Sequence, residues 1–210
     1  QSILEEMKMS FHSNKKIFWT IGKQKIKWGV GQFWNPSDFL NQQPRDFLQN
    51  TDEREGLSAI KAHIPIDKSN LYLIAVNDRA NESRRVGQAA RIEHAFKWGE
   101  ISASSFAQKG QETKLAADAS LGLGDFDVLA ELSQSDHGND PKQVYGLRYE
   151  FKVFTEDSAT LSYENFYQKN GLRSEDSYLP SIVAGSWRAF QMATSYDLFS
   201  LLLLKPGDWN

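Results

Sequence analysis

The chain has 210 residues, with 24 Lys and Arg against 27 Asp and Glu. The net charge of −3 leaves no basic stripe of the kind a nucleic-acid binder carries, and 40% hydrophobic with 12% aromatic residues is too apolar for a disordered chain. Cysteine is absent, which excludes disulfide frameworks, thiolate metal sites and cysteine nucleophiles.

A cysteine-free chain also suits passage through an oxidising periplasm. The longest apolar stretch, Leu198 to Leu204, falls far short of the roughly 18–20 residues of a spanning helix. A β-barrel would still escape that test, because its membrane signal lies in alternation. The first residues, Gln1 to Ser10, lack a basic segment followed by an apolar one. A removed leader or a longer parent chain is the expectation there.

In chain order, strands are expected at 3–13, 16–29, 55–65, 70–77, 86–98, 101–109, 113–122, 126–134, 142–154, 158–168, 187–197 and 199–205. Their period is two. Met7, Met9 and Phe11 alternate with Lys8, Ser10 and His12. Ile92, His94, Phe96 and Trp98 alternate with Arg91, Glu93 and Lys97. Leu115, Ala117 and Ala119 alternate with Lys114, Asp118 and Ser120; Val128, Ala130 and Leu132 with Asp127, Glu131 and Ser133. Tyr145, Leu147, Tyr149, Phe151 and Val153 alternate with Gly146, Arg148, Glu150 and Lys152. Each such strand has one oily and one polar face. Segments 16–29 and 70–77 alternate poorly and leave their register open.

Short connections are expected near Asn14-Lys15, Asp67-Lys68, Gly99-Glu100, Gly124-Asp125, Glu156-Asp157 and Phe199-Ser200. Long ones fall at 30–54, 78–85, 135–141 and 169–186. Strict alternation of short turns and long loops is the habit of outer-membrane barrels, whose loops gather at one end. Trp19, Trp28, Trp98, Tyr145, Tyr167 and Trp187 lie near strand ends, as interfacial girdles do. The fold expected is all-β, an antiparallel up-and-down transmembrane β-barrel forming one domain over 1–210.

Gly22-Lys-Gln-Lys-Ile-Lys-Trp-Gly29, followed by Gly31-Gln-Phe-Trp-Asn-Pro-Ser-Asp38, resembles porin-like outer-membrane barrels of Gram-negative bacteria. Several of those families carry a strand G-[RK]-Q-x-[IL]-x-W-G, then a loop with N-P-x-D. An acidic–Arg–Glu-Gly segment leads into their next strand, as Asp52-Glu53-Arg54-Glu55-Gly56-Leu57 does here. The resemblance is carried by residues 22–66 and is one of pattern elsewhere. It implies an outer-membrane location, a pore-like lumen, contact with membrane lipid and lipopolysaccharide, and recognition by barrel assembly machinery. It supplies no substrate. Such barrels end on an aromatic residue, whereas this chain ends Lys205-Pro-Gly-Asp-Trp-Asn210. The expectation is a segment of a larger barrel, truncated at both ends, with an even strand number of about 14 or more.

If the oily face meets lipid, the alternate positions line a wet lumen. The cationic candidates are Lys23, Lys25, Lys27, Arg91, Lys97, Lys114, Arg148 and Lys152; the anionic ones are Glu93, Asp118, Glu131, Glu150 and Glu164. Burying Arg or Lys against lipid at the midplane costs about 2–4 kcal/mol, which drives these positions inward. Loop 30–54 holds a near-repeat, Asn35-Pro36-Ser37-Asp38-Phe39-Leu40 and Gln43-Pro44-Arg45-Asp46-Phe47-Leu48. Proline with Asp two residues on is a helix-start pattern, so two short helical turns are expected. The loop is read as a constriction carrying Trp34, Asp38, Arg45, Asp46 and Arg54, with a lid on the barrel rim as the alternative.

The function expected is passive diffusion of small polar or ionic solutes, without catalytic residues, metal or cofactor. Two rival readings are a soluble all-β protein that binds lipid or polysaccharide, and an outer-membrane hydrolase. For the second, Ser102, Ser104 and His94 lie on adjacent strands, yet no nucleophile–base–orienter set assembles from sequence. Asp136-His137-Gly138-Asn139-Asp140 reads as turn chemistry before it reads as a calcium loop.

Overall fold

The computed structural model describes residues 5–41, 55–77, 86–136, 141–152 and 158–168, together with the backbone of 199–206. Those residues form β1 (Met7–Ser13), β2 (Ile17–Gln24), β3 (Leu57–Ile66), β4 (Ser69–Asn77), β5 (Val86–Phe96), β6 (Gly99–Gln108), β7 (Lys114–Leu123), β8 (Phe126–Ser135), β9 (Lys142–Lys152), β10 (Ser158–Gln168) and β11 (Phe199–Pro206). They make one 11-stranded sheet in sequence order. Every described pairing is antiparallel, and β1 and β11 are its edges. No helix occurs among the described residues.

The strand expected at 187–197 lies outside the described residues, and β10 pairs directly with β11. The short link expected at Phe199-Ser200 falls inside β11, and the one expected at Gly99-Glu100 is a turn at Lys97-Trp98. Asn14, Lys15, Asp67 and Gly124 take left-handed backbone at the other tight turns, the geometry two-residue hairpins demand. The expected strand 16–29 stops at Gln24 because Ile26 and Trp28 turn into a buried cluster rather than continuing the ladder.

Directly paired residues share a face. Glu93, Ser102, Asp118 and Glu131 form one row across β5 to β8, and one step away Ile92, Ala103, Ala117 and Leu132 form the next. The polar row is the buried one. Arg91 is 4% exposed and Glu131 2%, whereas Ile92 is 50% exposed and Leu115 55%. Large aliphatic side chains thus stand exposed on one face, while the charges lie buried on the other beside Ile74, Val76, Phe106, Leu129, Val144 and Phe166.

The polar face is also the concave one. Strand β10 lies eight steps of about 4.8 Å from β2, about 38 Å in a flat sheet. The eight residues from Gln24 to Gln32 extend at most about 29 Å, and a Glu side chain with its hydrogen bond adds about 7 Å. That segment is not even straight, since Gly29 has φ 81°. Gln32 nevertheless donates its N–H to Glu164 on β10. The sheet therefore curls around the segment that follows β2.

On the outer face, aromatics collect toward the short-turn end. Phe11 stacks with Trp19, Phe126 with Tyr149, and Tyr149 with Phe151, while Phe96 meets Trp98 edge-on.

Gly22 fixes the β1–β2 pair. It has φ 124°, and a Cβ there would lie 2.2 Å from the carbonyl oxygen of Met7. Gly22→Ala is expected to strip β1 from the sheet at a cost of about 1–3 kcal/mol. Urea unfolding would begin earlier, and amide protection over Met7–Ser13 would be lost first.

Candidate functional site

The segment 25–41 leaves β2 and lies on the concave face. Its two apolar anchors sit on opposite halves of the curl. Ile26, Trp28, Phe39 and Leu40 pack with Ala59, Ile74, Val76, Ala89 and Phe106 of β3 to β6. Phe33 and Trp34 pack with Leu129, Val144 and Phe166 of β8 to β10, with Trp34 stacked on Phe166 at 5.6 Å. Pro36 and Ser37 make a single turn, in which Asp38 N–H donates to the Asn35 carbonyl. This is a correction to the helical turn expected there: the chain turns once and then runs into the Phe39–Leu40 anchor. The second expected turn, at 44–48, lies outside the described residues.

Between the anchors, two buried carboxylates take the backbone of the loop. Glu131 Oε1 accepts the N–H groups of Val30 and Gly31, each at 2.6 Å. Its Oε2 accepts Ser37 N–H at 3.2 Å and the Ser37 hydroxyl at 2.8 Å. Glu164 accepts the N–H groups of Gln32, Phe33 and Trp34. Successive N–H groups converging on one anion form a nest, and charged acceptors make such bonds shorter and stronger.

The glycines make the nest possible. At Gly29 a Cβ would meet Glu131 Oε1 and Ser37 Oγ at 2.7 Å; at Gly31 it would lie 2.0 Å from the Trp34 carbonyl oxygen. Gly146, paired with Glu164, clears space on β9, since a Cβ there would sit 3.0 Å from Glu164 Cγ.

A second charged cluster lies next to the loop. Arg91 on β5 reaches across β6 to Asp118 on β7, with Nη1 and Nη2 at 2.7 and 2.9 Å from the two carboxylate oxygens. Its Nε donates to Glu93 at 2.7 Å. Ser104 and Ser102, the register partners of Arg91 and Asp118, are small enough to let the pair pass over β6. The Trp28 ring covers the guanidinium at 5.8 Å. Lys114 lies over the rings of Phe39 and Phe106. The concave face thus brings together Arg91, Glu93, Lys114, Asp118, Glu131 and Glu164, as the alternation indicates.

Other candidates fall elsewhere. Lys23 shares its row with Met7 and Ser58 on the outer face, at the rim, where it pairs with Glu55. Lys25 and Lys27 lie beyond the end of β2, so strand alternation does not place them on the wall. Lys25 pairs with Glu5 at 2.9 Å, and its N–H, 2.7 Å from Glu6, holds the Glu6 carboxyl below its ordinary value. Lys97 belongs to the β5–β6 turn. Arg148, Glu150 and Lys152 keep the concave parity toward the short-turn end of β9. Trp34 and Asp38 are buried, Trp34 against Phe166 and Asp38 within the loop, where it accepts Asn41 N–H. Arg45, Asp46 and Arg54 lie outside the described residues.

His94 faces outward, within 2.9 Å of Ser69. Ser102 and Ser104 face inward, so the sheet itself separates them from His94. No cluster of three or more metal-ligating side chains occurs among the described residues. The loop-anchoring role of Glu131 and Glu164 was invisible to alternation, which assigns a face and not a partner. The signal that could have found it is Gly29-Val30-Gly31, two glycines bracketing a residue just after a strand.

Comparison with known protein families, with curated proteins and with solved structures returns no match.

Removing one partner of a buried ion pair leaves the other uncompensated, which costs about 3–5 kcal/mol. Asp118→Ala is expected to destabilise the sheet in that range. Arg91→Met combined with Asp118→Leu is expected to cost much less, a difference that a denaturant-unfolding double-mutant cycle reads directly.

Proposed function

We propose that this sheet is wall of an outer-membrane β-barrel that works as a porin-like channel for small polar or ionic solutes, with segment 25–41 folded inside as its constriction. The observation that carries the reading is the apolar outer face of the sheet. Large aliphatic side chains such as Ile92, Ile101 and Leu147 stand exposed on the convex face, while Arg91, Asp118, Glu131 and Glu164 are turned into the concavity. In water the exposed aliphatic face costs free energy, and in lipid it does not. The tight turns and the long connections also lie at opposite ends of the strands, and the aromatics near the turns match a headgroup girdle.

A sheet edge in lipid leaves unsatisfied backbone groups. The reading therefore requires that β1 and β11 be joined through further strands into a closed wall. Inside that wall, solutes pass by exchanging hydration for wall and loop dipoles, and the charges around the loop bias which of them pass. The chain's own residues perform no covalent step.

The test is single-channel recording of the protein at its full encoded length in a planar bilayer under asymmetric salt. Stepwise conductance is expected, and deletion of 29–40 should raise it. A silent bilayer, with insertion shown separately, overturns the reading. Leu147→Arg, on the outer face, should cost about 2–4 kcal/mol of folding into lipid. Glu150→Arg, three residues on and facing the concavity, should cost little, and equal effects would contradict the assignment of faces.

A further inference from the structure

We infer that Glu131 and Glu164 form a proton-sensitive latch: their ionised carboxylates hold the loop against the wall, and loss of their charge releases it. The inference rests on the channel reading only for what the release does to conductance; the latch itself rests on geometry.

Apart from the Ser37 hydroxyl, the donors on these two carboxylates are backbone N–H groups, those of Val30, Gly31, Ser37, Gln32, Phe33 and Trp34. An ionised carboxylate is acceptor-only and offers about four lone-pair sites, so it suits a nest that can only donate. A protonated carboxyl gives up acceptor capacity and brings its own O–H donor against those N–H groups. Neutralisation therefore removes the charge assistance from these bonds and leaves some of the N–H groups without an acceptor.

The other charges facing the latch do not substitute for it. On β7, Asp118 lies directly across from Glu131, but both of its oxygens are engaged by Arg91. Lys114, also on β7, lies over the rings of Phe39 and Phe106. On β9 the partners in register are Val144 for Glu131 and Gly146 for Glu164. Lys142 and Arg148 flank them two residues away on the same face. On β11 the partner of Glu164 is Leu201. Within the loop, Asp38 is buried and accepts Asn41 N–H. Two glutamates thus accept the backbone N–H groups of residues 30–34 and 37.

The experiment is amide hydrogen exchange on the full chain in lipid, wild type against Glu131→Gln/Glu164→Gln, both at pH 7. Gln keeps the length of the side chain but turns N–H donors toward the nest. Protection at residues 30–34 and 37 is expected to fall at least about tenfold, while β5 and β6 stay unchanged. Equal protection in the two proteins overturns the latch. Should the double variant fail to fold, wild type alone decides it. The ratio of loop exchange to β6 exchange, corrected for intrinsic rates, should rise as the pH falls from about 9 to about 3, and a flat ratio overturns the proposal. In the bilayer, conductance of the wild type should change with acidification and that of the Gln variant should not. Lost protection with a silent bilayer would defeat the channel reading and leave the latch standing.

Discussion

A backbone N–H taken away from water must find an acceptor, and a carboxylate taken away from water must find donors. The segment after β2 and the two glutamates on β8 and β10 answer each other's requirement. Six loop N–H groups and the Ser37 hydroxyl meet Glu131 and Glu164 inside the curl of the sheet. Neither partner could be buried there alone. Gly29 and Gly31 exist as glycines because any Cβ would enter the nest or strike the Trp34 carbonyl, and Gly146 clears the path for the Glu164 side chain. The apolar residues on each side of the nest then fix the loop to both halves of the wall.

The same logic extends to Arg91. Its guanidinium is satisfied by Asp118 and Glu93 and covered by Trp28. A buried ion pair of this kind adds little stability compared with an apolar substitute, but it punishes the loss of either partner. Its place beside the loop means that wall and loop share one electrostatic unit. The apolar outer face needs no such network. Its exposed aliphatic and aromatic side chains make sense if their solvent is lipid.

Much of this was readable in the residues before any coordinates. The alternation in β5, β7, β8 and β9 gave both the strands and their faces, because a period of two leaves little freedom once charges are spaced that regularly. Arg91, Glu93, Lys114, Asp118 and Glu131 follow from it. Segment 16–29 failed for the opposite reason. Gly22 and Gly29 interrupt it, the lysines at 23, 25 and 27 suggest an alternation that ends at Gln24, and Lys23 turns out to share the row of Met7. Trp34 and Asp38 were legible as loop residues but not as buried ones, since burial there depends on Phe166 and on a turn at Pro36-Ser37 that sequence reads as a helix start. The pairing of the nest with glutamates about 100 residues and more away in sequence leaves no local trace.

The central claim is that the convex face meets lipid and the concave face meets water. Since the chain contains no cysteine, a single introduced cysteine is a unique reporter. A residue-by-residue cysteine scan along β9, from Tyr145 to Lys152, in lipid vesicles tests the claim most directly, because on this strand neither face is covered by the loop at positions 147 to 152. Positions 145, 147, 149 and 151 should be shielded from a water-soluble thiol reagent and their probes quenched by a lipid-borne quencher, with 148, 150 and 152 behaving in the opposite way. Uniform labelling on both faces, with no quenching at any position, would show that the sheet lives in water and would contradict the account.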